Sequence, residues 1–325
     1  MRPPAPLPSE LAGRPFSREQ AIDAGLTSRM LQHRRFERLY SGVYVESGTT
    51  LDPAGRIMAA SLALPPEAKV SHQTRLKLLG LDVGEPMAPM RFTIDRDHHL
   101  DIDGVTLHRT KAMPPVDGVG VTASSAFIGV ASLMKPIDTV AIGDWLLHRG
   151  HLDPAVVAAI AHRDDWRAGA EQAVAALRHL DGRSRSLPES EVRCLLWAAG
   201  LPEPEVNADI ADDDGQFLGC GDLVLRAWRL VVEYEGRQHA FDVQQFGRDI
   251  DRYAGFRRAG WAYVQVTAET RARPRQMVGQ IYAALVAQGY DGPPPRFGRD
   301  WLRLFERPAA PGHRRAVAEQ PHSAK

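Results

Sequence analysis

The chain has few of the residues that would assign it to a special class of protein. It contains only two cysteines, Cys194 and Cys220, which are too few for a disulfide-stabilised secreted fold. Neither has a second Cys or a His at zinc-ligand spacing, so we expect buried apolar thiols. No apolar run approaches the roughly 18 residues that a transmembrane helix needs, and the N-terminus lacks a signal-peptide pattern. We therefore expect a cytoplasmic protein without a membrane partner.

The charge of the chain also lacks a bias, because 40 basic and 40 acidic residues cancel. The total charge therefore neither indicates nor excludes a nucleic-acid partner. Hydrophobic residues make up 44% of the 325 positions, and this length is sufficient for two or three globular domains. Polar and breaker-rich stretches divide the chain into an N-terminal unit (14–48), a middle domain (50–180), a linker (183–187), a C-terminal domain (188–290) and a tail expected to be disordered (306–325).

Residues 14–48 have the element order of a winged helix-turn-helix. Ser17 and Gln20 form a capping-box pattern for a first helix, and Thr27 is placed to cap a second helix. A hairpin pattern centred on Gly42 follows, as the wing does in that motif. We expect the polar and basic residues of the second helix and its exit to meet DNA phosphates or base edges, with a solvated surface as the alternative: Arg29, Gln32, His33, Arg34 and Arg35.

The middle region, 50–180, mixes predicted helices with two strands over 90–94 and 105–109. The acidic and His-rich stretch between the strands, 95–101, has residue types that bind metals. Alternating charges between two strands are more typical of a solvated hairpin loop, which is the interpretation we adopt. We expect no catalytic constellation in this region.

The stretch GLTSRMLQHRRFERLYSGVYV resembles the winged helix of AbiEi-like antitoxins through its Gly25, Leu39 and Gly42-Val43-Tyr44 pattern. Residues 50–180 resemble the region that follows the winged helix in those proteins. The resemblance implies DNA binding by the N-terminal unit. It also adds a toxin-like protein to the candidate partners.

The strongest chemical signal lies in the C-terminal domain, where two apolar runs, 217–225 and 229–235, predict a β-hairpin. Because strand side chains alternate, Glu233 and Glu235 share a face, and an even register brings Asp222 to the same face. Three converging carboxylates repel one another unless a cation compensates them. Oxygen ligands without thiolates suit Mg²⁺ or Mn²⁺, either of which can activate water for phosphodiester hydrolysis.

Further functional groups flank this hairpin. Upstream, Glu189 stands in the first turn of a predicted helix, where we expect it to pair with Arg193 one turn later. Downstream, Gly236 lets the chain bend, and His239 is placed to act as an acid or base or to contact the scissile phosphate. The basic residues that follow are candidates for phosphate binding, with a charged surface as the alternative: Arg237, Arg248 and Arg252.

The order Glu189, Asp222 and then Glu233-Tyr234-Glu235-Gly236-Arg237-Gln238-His239 resembles the PD-(D/E)XK nuclease superfamily. It is most similar to the branch of the very-short-patch mismatch repair endonucleases. Glu235 stands where the superfamily often has Lys and where members of this branch commonly have Asp. The resemblance implies a restriction-endonuclease-like α/β domain with a mixed central sheet.

Carried onto this chain, the resemblance implies that Asp222 is the central metal ligand, with Glu233 and Glu235 beside it. It assigns catalytic roles to these three residues, to His239 and to Glu189, which would complete the site either through a water-mediated metal contact or by binding Arg193. We therefore expect a multidomain α/β protein that acts as a Mg²⁺- or Mn²⁺-dependent DNA endonuclease in repair or defence. The alternatives are a non-catalytic DNA-binding regulator similar to an antitoxin and an interaction protein that binds a toxin-like partner.

Overall fold

The computed structural model describes residues 7–84, 88–235 and 252–308. The chain divides into two compact units, 1–129 and 130–325. Helices and three sheets are distributed over both units, which confirms the expected multidomain α/β content. The predicted linker at 183–187 lies inside the second unit. The finer assignment of residues to a winged helix, a middle domain and a nuclease domain stays a prediction.

A small antiparallel sheet begins the first unit, with strands β1 (Phe16–Ser17), β2 (Phe36–Tyr40) and β3 (Val43–Glu46) in the order β1-β3-β2. Helix α1 (Arg18–Asp23) starts with the predicted capping box. The Ser17 hydroxyl accepts from the Gln20 N–H, and the Gln20 side chain accepts from the Ser17 N–H. The predicted hairpin is confirmed as β2–β3, with Gly42 at a φ of +75° in its turn.

The predicted second helix of this region is wrong, because only one 3-10 turn forms, Met30–Gln32. Thr27 accepts a hydrogen bond from the Met30 N–H as expected of a cap, but the backbone is extended by His33. Phe36 packs edge-on against Phe16 with 5.9 Å between ring centroids. This contact requires the chain to enter β2 within a few residues, which leaves no room for a longer helix.

The second sheet of this unit combines β4 (Lys69–Val70), β5 (Met90–Ile94) and β6 (Val105–Arg109) in the order β4-β5-β6. Helices α2 (Pro53–Leu62) and α3 (His72–Leu78) accompany it, and the core includes Ile57, Ala60, Val70 and Phe92.

Strands β5 and β6 form as predicted, but they pair in parallel, so the expected hairpin between them is wrong. Parallel pairing requires the connection at 95–104 to return to the opposite end of the sheet. Within that connection, the exposed Asp97 pairs with Arg109 and lies 3.4 Å from His99. The acidic and His-rich stretch is therefore a set of surface ion pairs.

Helices form the first part of the second unit. α4 (Ala123–Ala131) crosses the division of the chain, and α5 (Pro136–His148), α6 (Pro154–Arg163), α7 (Ala170–Leu177) and α8 (Leu187–Ala198) follow. α5 packs against both α7 and α8. Cys194 of α8 is buried among these helices as expected, whereas Cys220 is only half-buried.

The predicted pair between Glu189 and Arg193 is wrong. Arg193 donates instead to the fully buried carboxylate of Asp144 on α5 at 2.7 Å, and to the carbonyl of His179 at 2.6 Å. A buried carboxylate without a partner carries a large free-energy penalty, so the buried arginine is held by Asp144. Glu189 has other partners, described below.

A four-stranded mixed sheet forms the rest of the unit, with β7 (Glu205–Ala211), β8 (Phe217–Leu225), β9 (Leu230–Glu235) and β10 (Ala262–Thr267) in the order β10-β9-β8-β7. β8 runs antiparallel to β7 and β9, and β10 runs parallel to β9. β8 and β9 match the two predicted strands. β7 was not predicted, because EVNADIA has a weak apolar alternation.

Helices cover this sheet. Helix α9, of which residues 252–258 are described, contributes Phe256 to a core with Val224 and Val231. Leu223 and Val232 point to the opposite face by strand alternation and are also buried, so both faces are covered. α8 and α11 (Pro274–Ala287) pack against strands of the sheet, and α10 (Ala268–Arg271) and α12 (Arg299–Arg303) complete the unit.

Two expectations concern the ends of the chain and its relation to membranes. Residues 309–325 of the predicted tail lie outside the described residues. Within the described ranges, no helix combines the length and the apolar character needed to cross a bilayer.

Candidate active site

Asp222 on β8 and Glu233 on β9 lie opposite each other. The register of β8 with β9 pairs Leu223 with Val232 and Val224 with Val231, and one further step along it aligns Asp222 with Glu233. Directly opposite residues of antiparallel strands point to the same face, so the two carboxyl groups share a face, as the even register required. The Asp222 carboxylate also accepts a hydrogen bond of 2.9 Å from the Tyr234 N–H. This bond fixes the position of the carboxylate relative to β9.

The carboxyl group of Asp222 lies in surroundings that disfavour its negative charge. Burial, followed by the negative charge of Glu189, raises the pKa of its carboxyl to about 6, against smaller opposing effects of the Tyr234 N–H, Arg252 and Arg185. A carboxyl whose pKa is raised in this way is one whose negative charge the surrounding protein compensates incompletely. Such a group gains most from a bound cation or from a proton.

Glu233 is 7% exposed, and side chains of α9 donate to its carboxylate. Its Oε2 accepts from Arg252 at 2.7 Å and from the hydroxyl of Tyr253 at 3.3 Å, and Tyr263 on β10 approaches the same oxygen at 3.5 Å. The two tyrosine hydroxyls are joined by a hydrogen bond of 2.8 Å. Oε2 of Glu233 is therefore contacted by one cationic and two hydroxyl groups of the protein.

The side chain of Arg252 packs closely against the backbone of β8. A Cβ atom at Gly219 would lie 3.0 Å from the Cδ of Arg252, and one at Gly221 would lie 2.7 Å from a methyl carbon of Val231. Gly219 thus allows α9 to approach the strand that carries Asp222, and Gly221 allows close packing of β8 against Val231 of β9. The Gly-x-Gly-Asp order is the sequence signal for this close approach, and the predicted site did not include it.

Glu189 lies near the acid pair and has its own hydrogen-bond donors. Its carboxylate accepts from the Ser186 hydroxyl at 2.7 Å, from the Arg185 N–H at 3.0 Å and from the Asn207 side-chain amide at 2.8 Å. Glu189 is 8% exposed. These donors occupy the oxygens of Glu189, so it affects Asp222 through its negative charge, which raises the pKa of the Asp222 carboxyl. Asn207 was not identified from the sequence, since it belongs to the strand that the pattern did not reveal.

The remaining predicted residues of the site are Glu235 and three residues that follow β9 in the chain. Glu235 is exposed at the end of β9. His239, Arg237 and Arg248 lie outside the described residues. In the ranges that are described, no group of three or more His, Cys, Asp or Glu side chains is arranged to hold a metal ion. The described geometry therefore consists of one opposed acid pair, with Glu189 as a charged neighbour.

The predicted DNA-contacting arginines fall into two groups. Arg29 and Arg34 are exposed beside the 3-10 turn. Arg35, by contrast, donates to Glu46 on β3 at 3.0 Å and lies over the ring of Phe36, and Arg252 pairs with Glu233. In this structure Arg35 and Arg252 therefore each have an acidic partner, and contact of these arginines with DNA stays a prediction.

Comparison with known proteins yields distant relatives. No family model matches the chain. Two proteins of Mycobacterium tuberculosis, from strain CDC 1551 / Oshkosh and from strain ATCC 25618 / H37Rv, are each 26% identical to it over 254 residues. The alignment covers 75% of this chain and 90% of each relative. Both relatives are described as uncharacterized proteins.

Proposed function

We propose that this chain is a metal-dependent DNA endonuclease that hydrolyses phosphodiester bonds. In this proposal, residues 188–290 form a restriction-endonuclease-like domain similar to the very-short-patch repair branch of the PD-(D/E)XK superfamily. Residues 14–48 form a shortened winged helix that binds DNA, in which a 3-10 turn replaces the second helix. The observation that carries it is the opposed pair of Asp222 and Glu233 on adjacent strands. A role in DNA repair or defence is consistent with this activity.

The acid pair has the chemistry that Mg²⁺ or Mn²⁺ requires. Asp222 has a raised pKa and incompletely compensated charge, which a divalent cation would relieve. Carboxylate oxygens are the ligands that both ions prefer. Asp222 and Glu233 would hold the ion, with Glu235 at the end of β9 as a further ligand. A bound ion would polarise the phosphoryl group and lower the pKa of a bound water.

The chain's own residues would prepare the site for that ion. The Tyr234 N–H orients the Asp222 carboxylate, and Glu189 maintains a high negative charge density next to it. Tyr253 and Tyr263 orient the Glu233 carboxylate through their hydroxyl groups. In the resemblance to the repair endonucleases, His239 would exchange a proton with the water or the leaving group.

A second function is favoured by the ion pair between Arg252 and Glu233, which lies 2.7 Å apart. This arginine compensates one of the two carboxylates without any metal. A non-catalytic DNA-binding regulator, similar to an antitoxin and with a toxin-like protein as a partner, would retain such a closed site. The two functions differ in whether the carboxylates are needed for an activity.

A cleavage assay with the full-length protein separates these functions. Supercoiled, linear and mismatched DNA would be incubated with the protein and Mg²⁺ or Mn²⁺, beside the variant Asp222→Asn. We expect cleavage by the unmodified protein that needs the metal and falls at least about a hundredfold in Asp222→Asn, a loss typical of removing an essential catalytic interaction. Binding of DNA without cleavage by either protein would contradict the endonuclease and favour the regulator.

A matched control excludes effects of charge alone. Asp214 lies exposed in the turn between β7 and β8, and Asp214→Asn removes the same charge from the same β8 region. We expect this variant to cleave like the unmodified protein. An equal loss in both variants would indicate that net charge, and not the position of Asp222, determines the rate.

A further inference from the structure

The turn that leads into α8 contains two arginines with different surroundings. Arg183 is bound to Asp181 through two side-chain hydrogen bonds of 3.0 and 2.6 Å. Arg185, two residues later, is exposed, and its guanidinium has no hydrogen-bond or ion-pair partner among the residues that the structure describes. One arginine is therefore neutralised within the protein, and the other presents its full charge and all its donors.

The backbone at Arg185 is nevertheless held firmly. Its N–H donates to the Glu189 carboxylate at 3.0 Å, and the Asn207 amide donates both to that carboxylate at 2.8 Å and to the Arg183 carbonyl at 2.9 Å. Ser184, between the two arginines, is 1% exposed and lies 2.7 Å from the hydroxyl of Ser190. Several hydrogen bonds therefore fix the backbone of this turn, whereas the side chain of Arg185 has no partner among the described residues.

The backbone of Asn207, which holds this turn, adopts an unfavourable conformation. It has a φ of +46° inside β7, a left-handed conformation that strand residues rarely adopt. Strained backbone of this kind is found most often at functional sites. The register of β7 with β8 pairs Val206 with Leu223 and Ala208 with Gly221, which aligns Asn207 with Asp222. The strained residue, and with it the turn, is therefore next to the acid pair.

We propose that Arg185 binds a phosphate of the DNA strand at the Asp222–Glu233 site, and that Asn207 positions it through Glu189. This inference rests on the proposed function. The guanidinium has the paired donors that match phosphate oxygens. The backbone N–H of Arg185 donates to Glu189, and Asn207, which the register aligns with Asp222, donates to the same carboxylate, so Arg185 stands on the turn beside the acids with its side-chain donors available to the substrate.

The test measures DNA binding by the full-length protein as a function of salt concentration. Asp222→Asn serves as the background, so that the DNA remains intact, and a duplex oligonucleotide serves as the probe. We expect Arg185→Gln to weaken binding roughly tenfold at low salt, as for the loss of a hydrogen bond to a charged group. We also expect the slope of log affinity against log salt to fall by about one, the value for one lost phosphate contact.

The chain offers a matched control in Arg183→Gln, which removes the same charge two residues away from a side chain already bound to Asp181. We expect it to leave both the affinity and the slope nearly unchanged. Equal effects of the two substitutions, or no effect of Arg185→Gln, would overturn the inference. Cleavage by the unmodified protein would keep the endonuclease proposal intact in that case. Absence of both binding and cleavage would overturn the two proposals together.

The role of Asn207 has its own readout. Asn207→Gly tolerates the positive φ and keeps the charge of Arg185, but it removes the amide that holds Glu189 and the turn. We expect a smaller loss of affinity than with Arg185→Gln, and an unchanged salt slope because the phosphate contact is retained. Unchanged affinity would overturn the positioning role, and a changed slope would show that Asn207 does not act through the placement of Arg185.

Discussion

Arg252 of α9 donates to the Glu233 carboxylate at 2.7 Å, on the face of the sheet that also carries Asp222. Glu233 is the more deeply buried partner, with its side chain 9% exposed against 29% for Arg252. The arginine therefore stabilises a charge that water reaches poorly. A metal ion at the acid pair would compete with Arg252 for the Glu233 carboxylate. The effect of Arg252 on the stability of the protein should therefore depend on whether a metal ion occupies the site.

We expect Arg252→Gln to lower the free energy of unfolding by about 2 kcal/mol in metal-free buffer, because it leaves a buried carboxylate without its ion-pair partner. Mn²⁺ should restore part of the loss, since a cation at the acid pair replaces the missing charge. Urea unfolding with and without Mn²⁺ measures both effects. The control is Arg257→Gln on the exposed side of the same helix, for which we expect a change within about 0.5 kcal/mol. A loss that Mn²⁺ leaves unchanged would contradict metal binding at this pair.

Asp222 makes the stability depend on pH in a predictable direction. Its pKa is raised to about 6 in the folded protein, so between about pH 4 and pH 6 the folded state binds more protons than the unfolded state. The contribution of Asp222 therefore falls as the pH rises through this window. We expect the advantage of Asp222→Asn over the unmodified protein to grow by on the order of 2 kcal/mol between pH 4 and pH 7. Urea unfolding at both pH values measures it, and an advantage that stays constant with pH would refute the shifted pKa.

We expect the buried ion pair between Asp144 and Arg193 to contribute much of the free energy that holds α5 and α8 together. We expect Asp144→Ala to lower the free energy of unfolding by about 3–5 kcal/mol, because it leaves the buried guanidinium of Arg193 without its carboxylate partner at 2.7 Å. Glu205→Ala, which removes the exposed ion pair with Arg226 on the neighbouring sheet, should lose no more than about 1 kcal/mol. Similar losses in the two variants, measured by urea unfolding, would contradict the assignment of Arg193 to Asp144.

The N-terminal arginines provide a test of the proposed winged helix. Arg34 is exposed, whereas Arg35 donates to Glu46 at 3.0 Å. If residues 14–48 contact DNA, Arg34→Gln should weaken binding and reduce the salt slope by about one. Arg35→Gln should instead act mainly on the stability of the hairpin. Fluorescence anisotropy with a labelled duplex measures the first effect and thermal unfolding the second, and a larger loss of binding in Arg35→Gln would reverse the assignment.

The acid pair could be predicted from the sequence because strand alternation and the hairpin turn are local properties. The runs around Asp222 and Glu233 determined both the strands and the face that the side chains share. The partners of these acids could not be predicted in the same way. Arg252, Tyr263 and Asn207 reach the site from elements that are distant in the chain, and a local pattern contains no information on such contacts.

Errors elsewhere have the same origin. The strands at 90–94 and 105–109 were recognised, but their direction depends on pairing within the sheet, and a short connection suggested a hairpin where the pairing is parallel. Arg193 was assigned to Glu189 because the two are one helical turn apart. Its actual partner, Asp144, lies 49 residues upstream and is fully buried. The need to compensate that burial outweighed the proximity in the chain.

The most direct test of the central claim is a crystal structure determined with Mn²⁺, in which anomalous scattering locates the ion. We expect an anomalous peak between the carboxylates of Asp222 and Glu233, with oxygen ligands about 2.0–2.3 Å from the ion and Arg252 displaced from Glu233. The same crystals of Asp222→Asn should lack the peak. No peak at saturating Mn²⁺, with Arg252 still bound to Glu233, would contradict a metal-dependent endonuclease.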